Sequence, residues 1–225
     1  MNRLLKVTVN MIDNNKPYLF RFVLASASPR RRGLLEDAGY SFEVDPALIV
    51  EPEPEEGFDP VEYTARTAWL KARSVAARRP NDPILAADTV CAVDAKILGK
   101  PVDRADAERM IRLQEGRDLE VLTGLCLYRG IDNVWIGCVE TSVVRFARLT
   151  EREREAFLDT GRWRGKAGAY GVQDRDPFVS VVSGSFTNVV GLPMERVADL
   201  FVEFAESLTA TNRLNRVSRR PDGAL

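Results

Sequence analysis

The apolar run Leu19–Ala25, broken only by Arg21, leads within three residues into Ser28-Pro29 and a helical pattern that stops near Gly39. Such a run reads as a strand buried on both faces. Ser28 and Pro29 suit the N-cap and first position of a helix, and Gly39 suits its end. A doubly buried strand needs helices to cover it, so this junction directs the chain toward an α/β architecture.

Helix and strand signals keep alternating downstream. Asp59-Pro60 opens a helix to about Arg79, with an apolar stripe of Val61, Ala65, Ala68, Trp69, Ala72, Val75 and Ala76. Ile84–Val93 reads as a strand that turns at Asp94-Ala95 and returns through Lys96–Gly99. Asp103 caps a helix to about Glu115, and two long β-rich stretches, 118–129 and 134–147, form a hairpin. Thr150 and Glu153 make a capping box for helix 151–159, which Gly161 ends. Short strands and loops fill 166–191, and Pro193 starts a closing helix to about Ser207. The expected fold is α/β with a mixed sheet. Residues 1–18 read as an extension, 19–208 as a single domain, and 209–225 as a polar tail.

Composition narrows the chemistry. The chain has no histidine, which removes Ser-His-Asp triads and the commonest zinc sites. Proton transfer must fall to Asp, Glu, Lys, Tyr or a metal-bound water. With 32 basic and 33 acidic residues, no basic excess marks a nucleic-acid surface. Three scattered cysteines without a CxxC pattern suit a reducing, cytoplasmic setting. No apolar stretch is long enough to span a membrane, and the N-terminus lacks the features of a signal peptide.

Four places carry candidate chemistry. Ser26-Ala27-Ser28-Pro29-Arg30-Arg31-Arg32 joins a strand end to a helix start, where free amides and the dipole favour an anion. Arginines there oppose the helix's own preference for acidic residues, so they point to a phosphate chain; the alternative is an exposed basic helix start. Asp88 interrupts an apolar strand, as a metal ligand, a general base, or a solvent-facing carboxylate. Lys71 and Lys100 fit phosphate contacts or solvated charges. Lys166–Gln173 is a glycine-rich loop in which Gln173 can read a base edge, unless it is only a tight turn.

The chain also resembles the Maf proteins, which are nucleoside triphosphate pyrophosphatases. The matching stretches are LASASPRR (24–31), AWLKA (68–72), AADTV (86–90), ILGKP (97–101), KAGAYGVQ (166–173) and VSGSFTNVVGLPMERV (182–197), in the family's order and spacing. The resemblance implies the two-lobed ITPase/Maf-like fold: an elongated mixed sheet flanked by helices, with a central cleft. It implies that Ser26, Arg30, Arg31, Lys71, Lys100 and Lys166 bind the triphosphate and that Asp88 accepts a proton from water. Glu51 would join Asp88 in holding Mg²⁺ or Mn²⁺. Arg30, Thr89 and Gln173 match the branch acting on dTTP and UTP, rather than the branch acting on 7-methyl-GTP. A homodimer is also implied.

Two features stand outside that pattern. Relatives often carry acidic residues where this chain has Arg162-Trp163-Arg164-Gly165, and the N-terminal extension has no counterpart. The competing readings are a 7-methyl-GTP or broad nucleotide pyrophosphatase, and a nucleotide-binding regulator of septum formation.

Overall fold

The computed structural model describes residues 20–54, 57–171 and 178–217, with side chains through residue 210. Seven strands form one mixed sheet: β1 (Phe22–Leu24), β2 (Phe42–Val44), β3 (Ile84–Val93), β4 (Lys96–Leu98), β5 (Arg117–Arg129), β6 (Val134–Phe146) and β7 (Val179–Ser183). Their order is β2-β1-β3-β5-β6-β7, with β4 set against β3. β1 is parallel to β2 and β3, and every other pairing is antiparallel.

β3 explains why the molecule has a cleft. On one edge it pairs with β5 from Ile84 to Ala92 without a break. On the other it meets β1 only at Ile84 and Leu85, and β4 only at Cys91–Val93. Between them the sheet forks, and Ala86–Val90 has no strand neighbour on that side. Asp88 sits at the middle of the fork.

The helices are α1 (Pro29–Asp37), α2 (Pro60–Ala76), α3 (Arg104–Gln114), α4 (Glu151–Asp159), α5 (Phe186–Val190) and α6 (Met194–Val217). Ser28, Asp59, Asp103 and Thr150 cap their helices as their sequence positions indicate, and Thr150 and Glu153 form the capping box. Packing divides into two lobes joined by the long strands. Phe22, Leu24, Leu85, Phe201 and Phe204 pack at one end of the sheet, between β1 and α6. Cys91, Ile111, Phe146, Phe157 and Trp163 pack at the other, under α3 and α4. The two-lobed mixed α/β fold is as expected.

Several boundaries differ from the sequence reading. The buried face of α2 keeps Ala68, Ala72, Val75 and Ala76 of the expected stripe but differs in its N-terminal half. Val61 and Ala65 are exposed, and Tyr63, Thr64, Thr67 and Lys71 are buried in their place. Thr64 is buried at little cost because its hydroxyl donates to the Pro60 carbonyl at 2.9 Å. The rotation is set by Gly124 of β5: a Cβ there would lie 2.4 Å from the Thr64 carbonyl oxygen, so the helix backbone rests directly on the strand.

Among its described residues the 166–191 region holds one strand, a 3₁₀ turn at Ala167–Ala169, and α5, where short strands and loops were expected. Ser185 caps α5 by accepting from the Asn188 amide, and Gly191 at φ 122° ends it. The closing helix runs to Val217, ten residues past Ser207, because 208–217 contains neither Gly nor Pro. The expected tail is therefore helical over its first part; 218–225 and the extension 1–18 lie outside the described residues. β2, three residues long, has too little periodicity to be read from sequence. Among the described residues, no helix is long and apolar enough to cross a membrane.

Candidate active site

The fork in the sheet opens into a cleft of about 600 Å³. Ser26, Arg30 and Arg31 line it from the β1–α1 junction; Glu51 lines it from the stretch after β2, and Lys71 from α2. Asp88 and Thr89 line it from β3, and Lys100 and Lys166 from the opposite lobe. The structure thus gathers every candidate site residue except Gln173, which lies outside the described residues.

At the floor, the Lys71 ammonium donates to Asp88 Oδ1 at 2.6 Å and lies 2.8 Å from Glu51 Oε1. Lys71 and Asp88 are buried and Glu51 is exposed. Desolvation alone would raise the Glu51 carboxyl. The hydrogen bond and charge of Lys71, with Lys100 and Arg31 behind it, outweigh that and hold it below the usual carboxylate range. Asp88 Oδ2 has no hydrogen-bond partner among the described residues.

Tyr63, which the sequence reading passed over, secures the loop that brings Glu51 here. Its hydroxyl donates to the Pro52 carbonyl at 2.7 Å. Burial, reinforced by the charges of Asp88 and Glu51, pushes its phenol up, so it remains a donor.

Arg31 is less available than its position in the first turn of α1 indicates. Its Nε donates to the Gly191 carbonyl at 2.8 Å, Nη1 to Ser26 Oγ at 3.2 Å, and Nη2 to Thr89 Oγ1 at 3.0 Å. Desolvation pulls its pKa below the usual arginine value, opposed by the charge of Asp88, and it stays a cation. Thr89 in turn lies 2.9 Å, hydroxyl to hydroxyl, from Thr123. Arg31 therefore ties α1, β3 and the end of α5 into one wall. The last of these is itself held by Asn188, whose amide donates to Val121 O at 3.0 Å and Ser142 Oγ at 2.9 Å.

The opposite wall is braced by Gln114, a second residue the sequence did not signal. Its Nε2 donates to Gly168 O at 2.6 Å and Met110 O at 2.9 Å. Gly168 adopts φ 65°, and a Cβ there would fall 3.0 Å from Gln114 Oε1 and 3.2 Å from Cys91 Cβ. The Gly168 amide donates to Gly99 O at 3.0 Å, which joins the loop bearing Lys166 to the one bearing Lys100.

Glu51 and Asp88 offer hard oxygen donors, and two carboxylates already sharing one cation suit Mg²⁺ or Mn²⁺, which take one or two carboxylates and complete their shell with phosphate and water. Another acidic group, Glu108, Glu151 and Glu155, brings three carboxylates within 4.8 Å outside the cleft. Each of its carboxylates is already paired with Arg104 or Arg112, at 2.5 to 3.3 Å.

Comparison with known proteins agrees with this geometry. The family described as Maf-like protein matches residues 21–204. A dTTP/UTP pyrophosphatase of Koribacter versatilis (strain Ellin345) is 46% identical over 176 residues, covering 78% of this chain and 90% of the relative. One of Symbiobacterium thermophilum is 40% identical over 189 residues, covering 82% and 94%. One of Rhodopirellula baltica is 43% identical over 194 residues, covering 82% of each. With its fold, its cleft and a family match spanning most of its length in accord, the chain belongs to the Maf-like protein family.

Proposed function

We propose that this protein is a nucleoside triphosphate pyrophosphatase that hydrolyses dTTP and UTP to the monophosphate and pyrophosphate. The observation that carries the reading is the Lys71–Asp88–Glu51 group on the floor of a cleft whose walls are cationic. The names of the relatives support the substrate, as do Arg30 and Thr89 on the cleft wall.

The reaction divides among the chain's own residues. Asp88 Oδ2 takes a proton from the water whose oxygen attacks the α-phosphorus. The bond from that phosphorus to the bridging oxygen breaks, and pyrophosphate leaves. Arg30 and Lys100 bind the charge that builds on the leaving group, while Arg31 and Ser26 hold the wall behind it. Lys71 fixes the Asp88 carboxylate through Oδ1, so that its other oxygen faces the reacting water. A divalent cation held by Glu51 and Asp88 would neutralise phosphate oxygens and orient the triphosphate.

Cytoplasmic action fits three unpaired thiols, and a homodimer belongs to the same proposal; sedimentation of the purified chain checks it. The deciding experiment is a panel of dTTP, UTP, CTP and 7-methyl-GTP, with products identified as monophosphate and pyrophosphate, with and without EDTA. A dominant 7-methyl-GTP rate would overturn the pyrimidine specificity. Release of orthophosphate in place of pyrophosphate would overturn the reaction, and full activity in chelator would remove the metal.

A further inference from the structure

Besides Lys166, the cations lining the cleft fall into two groups. Lys71 is held by Asp88 and Glu51, and Arg31 spends its guanidinium on Ser26, Thr89 and Gly191. Arg30, Lys100 and Arg164 also line the cleft, and none has a carboxylate within ion-pair distance among the described residues. Like charges collected on one concave surface repel one another, and an anion is what reconciles them.

Arg164 belongs to the basic stretch that departs from the family pattern, yet its side chain is placed with care. Trp163 beneath it is buried and donates Nε1 to the Leu158 carbonyl at 2.9 Å. The Arg164 guanidinium lies over that ring, 4.5 Å from its centroid. The Arg164 amide donates to Gly161 O at 3.2 Å, closing the turn that follows α4. Gly161 has φ 67°, and a Cβ there would fall 2.2 Å from Arg164 Nη1, so the guanidinium occupies space that only glycine leaves open. Stacking on a buried indole limits rotamer freedom without neutralising the charge. Arg162 differs: it lies 5.5 Å over Phe157 and does not line the cleft.

Arg164 also stands on the braced wall. Two residues on is Lys166, and the Gly168-to-Gly99 hydrogen bond couples this loop to Lys100. We propose that Arg164 is a third pyrophosphate-binding cation, acting with Arg30 and Lys100 on the two terminal phosphates of the substrate. The inference rests on the proposed pyrophosphatase reading and extends it to a residue outside the family motifs.

The test is calorimetric titration of the full chain with inorganic pyrophosphate in Mg²⁺ buffer, alongside dTTP kinetics, for wild type, Arg164→Gln, Arg164→Lys and Arg162→Gln. Loss of one charge-assisted contact weakens binding by about tenfold. That loss is expected for Arg164→Gln, in pyrophosphate affinity and in kcat/KM for dTTP. Arg164→Lys should recover part of it, and Arg162→Gln should match wild type. Wild-type affinity in Arg164→Gln, an equal loss in Arg162→Gln, or no pyrophosphate binding by wild type would overturn the assignment. Pyrophosphate binding that depends on Arg164, in a protein that hydrolyses no nucleotide, would sink the pyrophosphatase reading and leave this site standing.

Discussion

Lys71 and Asp88 meet at 2.6 Å, Nζ to Oδ1, both side chains almost wholly removed from solvent. One comes from the buried face of α2 and the other from mid-β3. A buried ion pair is costly to desolvate, and it is costlier still to leave half of it behind. Here the ammonium also answers Glu51, so its loss would set two carboxylates against each other. Lys71→Met is expected to destabilise the fold by about 2–4 kcal/mol in denaturant unfolding. The double variant with Asp88→Asn should lose less than the sum of the two, since each removes the other's partner.

Asp88→Asn keeps the shape and removes the proposed proton acceptor. The expected result is a fall in kcat of about 10²–10⁴-fold, with KM for dTTP changed little. Full turnover in this variant would exclude Asp88 from the proton transfer.

Arg31→Ala combines two effects. The sequence alone points to a loss of substrate binding. The structure adds three hydrogen bonds to Gly191, Ser26 and Thr89. Losing them is expected to cost about 2–4 kcal/mol of stability, together with a higher KM. A melting temperature equal to wild type would show that the wall stands without it.

Gly124 is paired with Asp88 across the β3–β5 ladder and touches the α2 backbone on its other side. The contact is with a carbonyl group, which cannot swing away as a side chain would. Gly124→Ala is expected to destabilise by about 3 kcal/mol. By lifting α2 it should also separate Lys71 from Asp88 and lower activity more than the stability loss alone explains. An alanine variant with normal kcat and melting behaviour would contradict this packing.

Burial pushes the Cys91 and Cys126 thiols up to about 12, so neither forms an appreciable thiolate at pH 8. Although Cys91 lines the cleft, iodoacetamide should label the native protein at Cys138 at most and leave activity intact. In denaturant all three cysteines should react, as read by intact mass. Inactivation of the native enzyme with modification of Cys91 would show that the floor opens in solution.

What could be read from the sequence was governed by range. The β1–α1 junction, the caps and the long β5–β6 hairpin depend on neighbours a few residues apart, so propensity and periodicity suffice. Eight of the nine gathered cleft residues came through ordered motifs, which retain long-range constraint that a single periodic pattern does not; Glu51 lies outside those motifs. The N-terminal half of the α2 stripe shows the limit. Threonine and lysine count as polar in a helical wheel, but Thr64 satisfies its hydroxyl within the helix and Lys71 meets two carboxylates. The burial of Lys71 is decided by partners 17 and more residues away. Gln114 and Tyr63 were silent for the same reason: each acts on a backbone carbonyl, which no residue identity announces.

The exchange of β1 for β4 along a single edge of β3 has a consequence for how such an enzyme diversifies. The carboxylate stands on a strand stitched to β5 from Ile84 to Ala92, while the segments beside the opening, 25–28 and 99–101, depart from different strands. Either rim can be lengthened, shortened or recoloured with new side chains while the reactive centre stays in register. Selectivity among nucleotides and the power to hydrolyse them are therefore separable inheritances in this architecture.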